Sequence, residues 1–409
     1  MAITIIDVDF TGQYNIAGSD SRWILAQGIA ITSTGHGINE GPGSSGNVFD
    51  ISGTVTSTAT IAAGIYLGGT GDVLTITAAG IVKGTTGVSL QGSDQTLVNN
   101  GLIDGGNGIS LGSGTYDITN NGTIKAASNG YGANWSGDGT DFTNNGTITG
   151  KYGLMLSGST DMPVLGADSV IKATSIGLML DSQGGISSTT HNQGLLQGGT
   201  TSFAGDEGNE TLVNTGRLVG TVKLYEGNDV FDNRGGTFSG IVEGGRGSDT
   251  YYVNSQKIVV ADYGNNPEDS DVVYATASYA LTSGYDVEKL VLLGKTNINA
   301  SGDATDNTLI GNAGKNRISG GVGTDTLSGK AGADTFVFKT GFGQDTITDY
   351  ADGPDSIDIS GLTPVTSFAD LRAHHLSFSH GDAIITSGSD RLTIEDTTRA
   401  ELDKSDFLI

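Results

Sequence analysis

Short apolar runs separated by polar turns recur along the first 240 residues at nearly regular intervals. The clearest marker is Asn-Asn-Gly followed by any residue and Ile, which is found at 99–103, 120–124 and 144–148. Looser copies extend the series to ten positions in register, from Gly28 to Gly235, at steps of 19 to 27 residues. A repeat of about 20 to 50 residues is typical of solenoids, in which each repeat forms one coil.

Within each repeat the pattern predicts three short strands. The residue two positions beyond the marker glycine is apolar, as at Ala30 and Val82, and alternation places it on the inner face. A second strand reads GIYL, GVSL or GISL, and a third, such as LTIT or TLVN, precedes the marker. The sequence therefore predicts an all-β fold, a right-handed parallel β-helix of about ten coils. Lys83, Asp104 and Lys125 occupy the next outward position in successive coils, which indicates a surface ladder of alternating charge.

From residue 302 the period shortens to nine. Four consecutive segments, 302–310, 311–319, 320–328 and 329–337, are versions of Gly-Gly-x-Gly-x-Asp-x-U-x, where U is a large apolar residue. The glycines allow tight turns whose carbonyl groups point inward, and the sixth residue adds a side-chain oxygen. Turns two repeats apart are expected to stack on one side and to supply together the six to eight oxygen ligands that calcium prefers. Magnesium fits this arrangement less well because it requires a smaller octahedral shell.

The same turn signature occurs once per coil at 205–213, 224–232 and 244–252. We therefore expect the β-helix to pass into a calcium-binding parallel β-roll without a linker, and Ca²⁺ to be the only cofactor. The candidate metal-site residues are Glu210, Asp229, Gly244, Gly247, Asp249, Asn307, Asn316, Gly320, Gly323, Asp325, Gly329, Gly332, Asp334, Gly343 and Asp345. Asn307 and Asn316 are neutral, so the first two turns are expected to bind weakly.

The nonapeptides resemble those of the RTX family, the hemolysin-type calcium-binding repeat proteins. The resemblance implies four regions: a β-helix with RTX-like turns (1–245), an RTX-associated insert (246–301), an RTX β-roll (302–345) and a serralysin-like C-terminal capping and secretion region (346–409). It also implies export through a type I secretion exporter, which reads a C-terminal signal similar to the final DKSDFLI, into calcium-rich extracellular surroundings or onto the cell surface.

Composition narrows the class further. With 67 Gly and 5 Pro among 409 residues, neither a mainly helical protein nor a collagen triple helix is expected, and there is no Cys. The net charge of -25 disfavours nucleic acid and anionic membrane surfaces and favours cations as partners. No apolar stretch approaches 18 residues, so no membrane span is expected, and the N-terminal residues do not resemble a secretory signal peptide.

Three functions fit these features. The first is a secreted, non-catalytic protein with an extracellular binding, adhesin-like or matrix role, which folds on calcium and contacts polysaccharide or a cell surface. The second is a carbohydrate-active enzyme, a polysaccharide lyase or uronan C5-epimerase, for which Lys125, Tyr131, Lys151 and Tyr152 are the candidate catalytic residues. The third is a toxin or effector passenger within residues 1–240. No His-Glu-x-x-His motif is present, so no zinc protease domain is expected.

Three minor features have two interpretations each, and a fourth has one. The marker asparagines are expected to bond to one another at coil corners rather than to a ligand. Asp138 and Asp141 form either a solvated turn or a second cation or acid-base site. Met155 and Met179 form either an outward apolar strip or core beneath a loop at 157–166, and residues 368–375 predict a small surface helix.

Overall fold

The computed structural model describes residues 1–137, 139–158, 161–181, 185, 187–263 and 268–409. Almost all regular structure is β, and the chain divides into two compact units. Unit 1 comprises residues 1–227 and 235–240, and unit 2 comprises residues 228–234 and 241–409. Among the described residues no helix is long and apolar enough to cross a membrane.

The strands of unit 1 are β1 Ala2–Ile6, β2 Phe10–Thr11, β3 Tyr14–Ile16, β4 Ser21–Leu25, β5 Ala30–Ser33, β6 Ile38–Glu40, β7 Val48–Ile51, β8 Thr54–Ser57, β9 Ala63–Leu67, β10 Val73–Ile76, β11 Ile81–Leu90, β12 Gln95–Asn99, β13 Leu102–Leu111, β14 Tyr116–Asn120, β15 Thr123–Ala126, β16 Tyr131–Ser136, β17 Thr140–Asn144, β18 Thr147–Ser157, β19 Val164–Leu165, β20 Val170–Leu180, β21 Ser188–Asn192, β22 Leu195–Ala204, β23 Glu210–Asn214 and β24 Arg217–Glu226. They pair in parallel with the strand one coil away, as β10 pairs with β12 and β11 with β13.

Unit 1 is a parallel β-solenoid, as the repeat predicts. One face stacks ten strands: β1 lies before the first marker, and β4, β7, β10, β12, β14, β17, β19, β21 and β23 each precede one of the nine markers from Gly28 to Gly216. The chain as a whole has about 16 turns, because unit 2 is also built of coils.

The strand count per coil differs from the prediction in the middle of unit 1. The marker strand and the GVSL-type strand are continuous in β11, β13, β18, β20, β22 and β24, so each of these coils has one long and one short strand instead of three short ones. Gly84 lies at the bend of β11, where a Cβ atom would come within 2.4 to 2.9 Å of backbone atoms of the preceding coil and of Thr86, too close for any side chain. Glycine therefore bends the backbone there without interrupting the hydrogen-bonded ladder.

The inner face carries the predicted stack of apolar side chains. Val55, Val82, Ile103 and Ile124 are fully buried and are register partners along the second sheet. Ala30 was predicted for this stack, but Ile31 is the residue aligned with Val55. Ile29 rather than Gly28 occupies the marker position, because its carbonyl accepts the N–H of Thr54 at 2.8 Å as the carbonyl of Gly53 accepts that of Ile81 at 3.0 Å.

The marker asparagines form a buried ladder, which confirms their structural interpretation. The Nδ2 atom of Asn99 donates to Oδ1 of Asn120 at 2.7 Å, and Nδ2 of Asn120 donates to Oδ1 of Asn144 at 2.7 Å. All three side chains are fully buried. The adjacent Asn100 and Asn121 form a second ladder on the exposed side. Each buried asparagine thus forms a hydrogen bond with the asparagine of the next coil. An amide group buried without such a partner would lower the stability of the fold.

The two ladders give a matched pair of variants. Asn120→Ala removes hydrogen bonds to both neighbouring coils in a fully buried position and is expected to lower the free energy of unfolding by about 1–3 kcal/mol. Asn121→Ala removes the equivalent bonds on the exposed side and is expected to cost about 0.5 kcal/mol or less. Urea unfolding followed by circular dichroism measures both, and equal losses would contradict the role of the buried ladder.

The strands of unit 2 are β25 Val230–Asp232, β26 Ile241–Arg246, β27 Thr250–Val253, β28 Val259–Ala261, β29 Val272–Ala275, β30 Tyr279–Ala280, β31 Lys289–Leu292, β32 Ala300–Ser301, β33 Thr308–Ile310, β34 Arg317–Ser319, β35 Thr326–Ser328, β36 Thr335–Lys339, β37 Gln344–Ile347, β38 Ser356–Gly361, β39 Leu376–Ser379, β40 Asp382–Ser387, β41 Asp390–Ile394 and β42 Phe407–Leu408. A helical turn α1 Phe368–Asp370 continues as a π-helix Leu371–His375, where the small helix was predicted, and a 3₁₀ turn spans Lys404–Asp406.

The nonapeptides of unit 2 form a β-roll. Their short strands alternate between two sheets, because β33 pairs with β35 and β34 pairs with β36. The eighth residues, Leu309, Ile318, Leu327 and Phe336, are fully buried between these sheets. After the roll, β39, β40 and β41 form an antiparallel meander. Turns two repeats apart therefore stack, as the nine-residue period predicts.

Candidate calcium sites

Each predicted ligand Asp of the β-roll uses one carboxylate oxygen to bind the coil before it. Oδ1 of Asp325 accepts the backbone N–H of Asn307 at 2.8 Å, and Oδ1 of Asp345 accepts that of Asp325 at 3.1 Å. On the other side of the roll, Oδ1 of Asp334 accepts the N–H of Asn316 at 2.8 Å. The carboxylates are thereby fixed in two rows of stacked turns, with each side chain held by a backbone group.

The other oxygen of each carboxylate has a different environment. Oδ2 of Asp325, of Asp334 and of Asp345 is fully buried and has no hydrogen-bond partner among the described residues. Buried polar atoms are almost always satisfied, so three orphaned oxygens in stacked turns indicate a missing partner. Because these atoms are carboxylate oxygens, that partner is a cation or a proton.

Glycine positions bring further oxygens towards the same turns. A Cβ atom on Gly311 would lie 2.5 Å from Oδ1 of Asn316 and 2.5 Å from the carbonyl oxygen of Gly329, and one on Gly329 would lie 2.5 Å from Oδ2 of Asp334. Gly320 is likewise closed to a side chain by the Asp325 carboxylate. The atom nearest to each of these positions is an oxygen, and a donor set of carboxylate, amide and backbone carbonyl oxygens is the one that calcium prefers. The residues present therefore fit a calcium ion.

The remaining predicted glycines shape the turns. Gly323 pairs with Gly343 in an isolated parallel bridge between stacked turns. Gly343 has a φ of +101°, which a residue with a side chain rarely adopts, and Gly332 also has a positive φ. These residues allow the tight turns that expose carbonyl groups towards the carboxylates.

Burial raises the pKa values of the predicted ligand carboxylates. It raises the pKa of Asp334 to about 6 and that of Asp345 to about 8, with smaller contributions from nearby Asp side chains. It also raises the pKa of Asp325. Without a cation the carboxyl group of Asp345 therefore retains its proton near neutral pH, and a bound divalent cation would stabilise the charged form of all three carboxylates.

The two asparagine positions are already satisfied by the protein. Oδ1 of Asn307 accepts the N–H of Asp303 at 2.9 Å, and its Nδ2 donates to the carbonyl of Val287 at 3.1 Å. Asn316 is bound in the same way, with Nδ2 donating to the carbonyl of Ile298 at 2.7 Å. Their amides close the first two turns without a cation, and their role as metal ligands stays a prediction.

Three carboxylates near the roll were not predicted. Asp355 continues one row, because its Oδ1 accepts the N–H of Asp334 at 2.9 Å. Asp390 accepts the N–H of Gly341 at 2.7 Å, and Asp349 accepts that of Gly329 at 2.8 Å. Asp355 lies two residues before a buried Ile, the spacing of every ligand Asp, and this signal could have identified it. Asp349 and Asp390 come from segments with no repeat signature.

A separate cluster lies around Asp249 in unit 2. The side chains of Asp249, Asp262 and Asp271 are buried, and their nearest carboxylate oxygens all lie within 4.8 Å of one another. The Tyr251 hydroxyl donates to Oδ2 of Asp262 at 2.6 Å and contacts Oδ2 of Asp249 at 3.2 Å. Burial raises the pKa of Asp249 and of Asp271 to about 8. Only Asp249 of this cluster was predicted, since Asp262 and Asp271 lie outside any glycine-rich turn.

The other residues predicted for the isolated turns fall into the same arrangement. The N–H of Asp229 donates to Oδ1 of Asp249 at 2.7 Å, and the N–H of Gly247 donates to Oδ2 of Asp269 at 3.2 Å. Gly244 faces the oxygens of Asp249, Asp262 and Tyr251, which leave no room for a side chain. In unit 1, Glu210 is fully buried and its Oε2 accepts the N–H of Asp206 at 3.2 Å.

The candidate catalytic residues are partly assembled on the surface of unit 1. The rings of Tyr131 and Tyr152 stack with centroids 4.8 Å apart, and Nζ of Lys151 lies 5.0 Å from the Tyr152 ring centroid. Lys125 instead lies 3.6 Å from Asp104, which supports the charge ladder. These contacts bring three of the four residues together, and the Asn107 side-chain oxygen accepts the backbone N–H of Tyr131 at 3.1 Å.

The remaining minor features have mixed outcomes. Met155 and Met179 are register partners in neighbouring coils and are both partly exposed, as an outward strip requires. The loop at 157–166 is described only in part, and Asp138 lies outside the described residues, so the Asp138–Asp141 pair is not addressed.

The fold and these turns define a calcium-binding β-solenoid protein. Residues 301–336 match the RTX calcium-binding nonapeptide repeat in four copies, and repeats of this type bind calcium. RTX repeat proteins are typically exported by type I secretion and are extracellular. The match identifies this segment as an RTX repeat array.

Other comparisons add little. No curated protein matches the chain. Among solved structures, the extracellular lipase LipA from Serratia marcescens aligns with 61% of this chain and 45% of that chain, at 13% identity and a TM-score of 0.25. Similarity at this level supports no conclusion about this chain.

Stability without calcium is expected to fall as pH rises. The raised pKa of Asp345, about 8 against an ordinary value of about 4, means that the folded state binds a proton that the unfolded state releases. This stabilisation is complete below pH 4 and is lost as pH rises through about 8. In EDTA the melting temperature of unit 2 is therefore expected to fall by several degrees between pH 5 and pH 8, and calcium at pH 8 is expected to restore it.

Asp345→Asn tests the same carboxylate directly. Asn retains an oxygen for the N–H of Asp325 but carries no charge, so in EDTA at pH 8 the variant is expected to melt higher than the wild type. Its gain in melting temperature on adding calcium is expected to be smaller. Asp352→Asn removes the same charge from an exposed turn and serves as the control. Identical calcium responses in Asp345→Asn and the wild type would contradict the assignment.

Proposed function

We propose that this protein is a secreted, calcium-stabilised β-solenoid with an extracellular binding or structural role, such as that of an adhesin or matrix component. The observation that carries the proposal is the row of buried Asp carboxylates whose second oxygens have no partner among the described residues. Without calcium, the buried carboxylate charges destabilise the folded turns. Binding of the ion compensates these charges and stabilises the fold. Calcium therefore acts in folding rather than in a reaction.

The charge distribution supports folding after export. Residues 201–409 contain 31 Asp and Glu against 15 Lys and Arg, a net charge of -16. Where calcium is scarce, repulsion among these groups disfavours the compact state, which suits transport of an unfolded chain by a type I exporter. Where calcium is abundant, binding to the folded state offsets the repulsion. We propose residues 346–409 as the capping and secretion region of this chain.

A groove in unit 1 supports a binding role. Its lining combines the apolar side chains of Ile176, Met179 and Tyr225 with the carboxylates of Asp206 and Glu226. Met179 belongs to the outward strip, and Tyr225 is 49% exposed, which is unusual for a large apolar ring. Apolar surface with an acidic edge favours a neutral sugar or a basic protein segment over a polyanion.

Folding on calcium is directly measurable. The full chain in EDTA at pH 7.5 is expected to be cleaved by a protease within residues 228–409 at least ten times faster than the same chain in millimolar calcium. Mass spectrometry of the fragments locates the cleavage sites, and circular dichroism records the accompanying gain of β signal. Magnesium at the same concentration serves as the control and is expected to protect weakly. Unchanged cleavage with and without calcium would exclude this role.

A carbohydrate-active enzyme is the second candidate, and the contacts among Tyr131, Lys151 and Tyr152 are what favour it. A lyase or epimerase must neutralise a uronate carboxylate and remove an adjacent proton, and a lysine beside stacked tyrosines could contribute to both steps. The expected result is unsaturated products, or inverted uronate residues, from an acidic polysaccharide incubated with the calcium-loaded chain, lost in Tyr152→Phe. No change in any acidic polysaccharide of a broad panel would exclude this candidate.

A further inference from the structure

The segment 68–76 of unit 1 reads Gly-Gly-Thr-Gly-Asp-Val-Leu-Thr-Ile, which is a nonapeptide turn shortened by one residue. Asp72 lies two positions before the buried Leu74, just as Asp325 lies two positions before the buried Leu327. This segment is far from the RTX array at 301–336 and was not among the predicted sites.

Asp72 makes the same contact with the preceding coil as the β-roll aspartates. Its Oδ1 accepts the backbone N–H of Asn47 at 3.0 Å, as Oδ1 of Asp325 accepts that of Asn307 at 2.8 Å. Its Oδ2 points into the turn, where the Gln95 amide donates to it at 3.1 Å. The carboxylate is therefore fixed from both neighbouring coils, with one oxygen directed towards Glu40.

Three oxygens from two coils converge beside Gly69. The position of a Cβ atom on Gly69 would be 2.8 Å from Oδ2 of Asp72, 2.8 Å from the carbonyl oxygen of Ser44 and 2.9 Å from Oε2 of Glu40. Glu40 is fully buried, and its Oε2 has no hydrogen-bond partner among the described residues. Its Oε1 is held by the Asn47 amide at 2.7 Å, so the orphaned atom is fixed in its direction towards the turn.

The charges at this point are not balanced by the protein. Asp72 and Glu40 are both fully buried, and within the described ranges neither forms an ion pair with Lys, Arg or His. Two adjacent carboxylates removed from water cannot both remain charged without a cation. The donors are two carboxylates and a backbone carbonyl, all oxygen, with Gly69 leaving space beside them.

We propose that Glu40, Asp72 and the Ser44 carbonyl form a calcium site in unit 1, separate from the RTX array. The site cross-links two coils of the solenoid near its first repeats. It does not depend on the proposed function, because it requires only that the intact chain is folded in calcium.

The test counts calcium ions per folded chain. Wild type, Glu40→Gln/Asp72→Asn and the control Asp117→Asn, which removes an exposed carboxylate two coils away, are equilibrated in calcium, separated from excess ion and analysed by elemental mass spectrometry. The double variant is expected to hold one calcium fewer than the wild type, while the control holds the same number. Equal numbers in all three proteins would overturn the proposal.

A second measurement applies even where the double variant folds poorly. Crystals of the wild-type chain grown in calcium and exchanged with gadolinium are expected to show an anomalous peak between Glu40 and Asp72. If no peak is present there while peaks occupy the RTX turns, the two carboxyl groups share a proton instead of a metal ion. In that case Glu40→Gln would raise the melting temperature equally in EDTA and in calcium, and the proposal would be wrong.

Discussion

The whole structure depends on one constraint: a coil of a solenoid can bury its polar backbone groups only against the coils beside it. At the corners of this chain the main-chain N–H groups point inward, and a side-chain oxygen from the next coil accepts them. Apolar stacking supplies the bulk of the stabilisation, but it does not choose between neighbouring registers. These corner hydrogen bonds fix which residue of one coil lies beside which residue of the next.

Corner side chains link neighbouring coils in two chemically different ways. A corner Asn accepts with its oxygen and donates with its nitrogen, so the amide of Asn120 is fully hydrogen-bonded once both neighbouring coils are in place. A corner Asp accepts equally well with one oxygen, but its other oxygen cannot donate. Asp325 therefore has an oxygen without a partner among the described residues, where Asn120 is bound on both sides. A single atom in the side chain decides whether the corner is satisfied by the protein alone.

Periodicity made the fold and the nonapeptide turns predictable from the sequence. Each repeat copies the same strand and turn pattern, so Leu309 and Leu327 could be placed inside and Asp325 in a turn without knowledge of distant contacts. The failures occur where the period breaks. Gly28 lies one residue before the marker position, so Ile31 takes the place predicted for Ala30, and Asp262 reaches Asp249 from a segment with no glycine-rich signature. Contacts of this kind depend on the path of the backbone between repeats, which no local pattern specifies.

The corner position also has an evolutionary consequence. The codons of Asp and Asn differ by one base, and the two side chains have nearly the same shape. Asn307 and Asn316 have an amide where the motif has a carboxylate, and the backbone N–H of each still donates to the Asp of the turn two repeats further on. A single substitution can therefore change the charge of one corner at a time, without redesigning the core. Under the proposed role of calcium in folding, such substitutions would set the calcium concentration at which the chain folds.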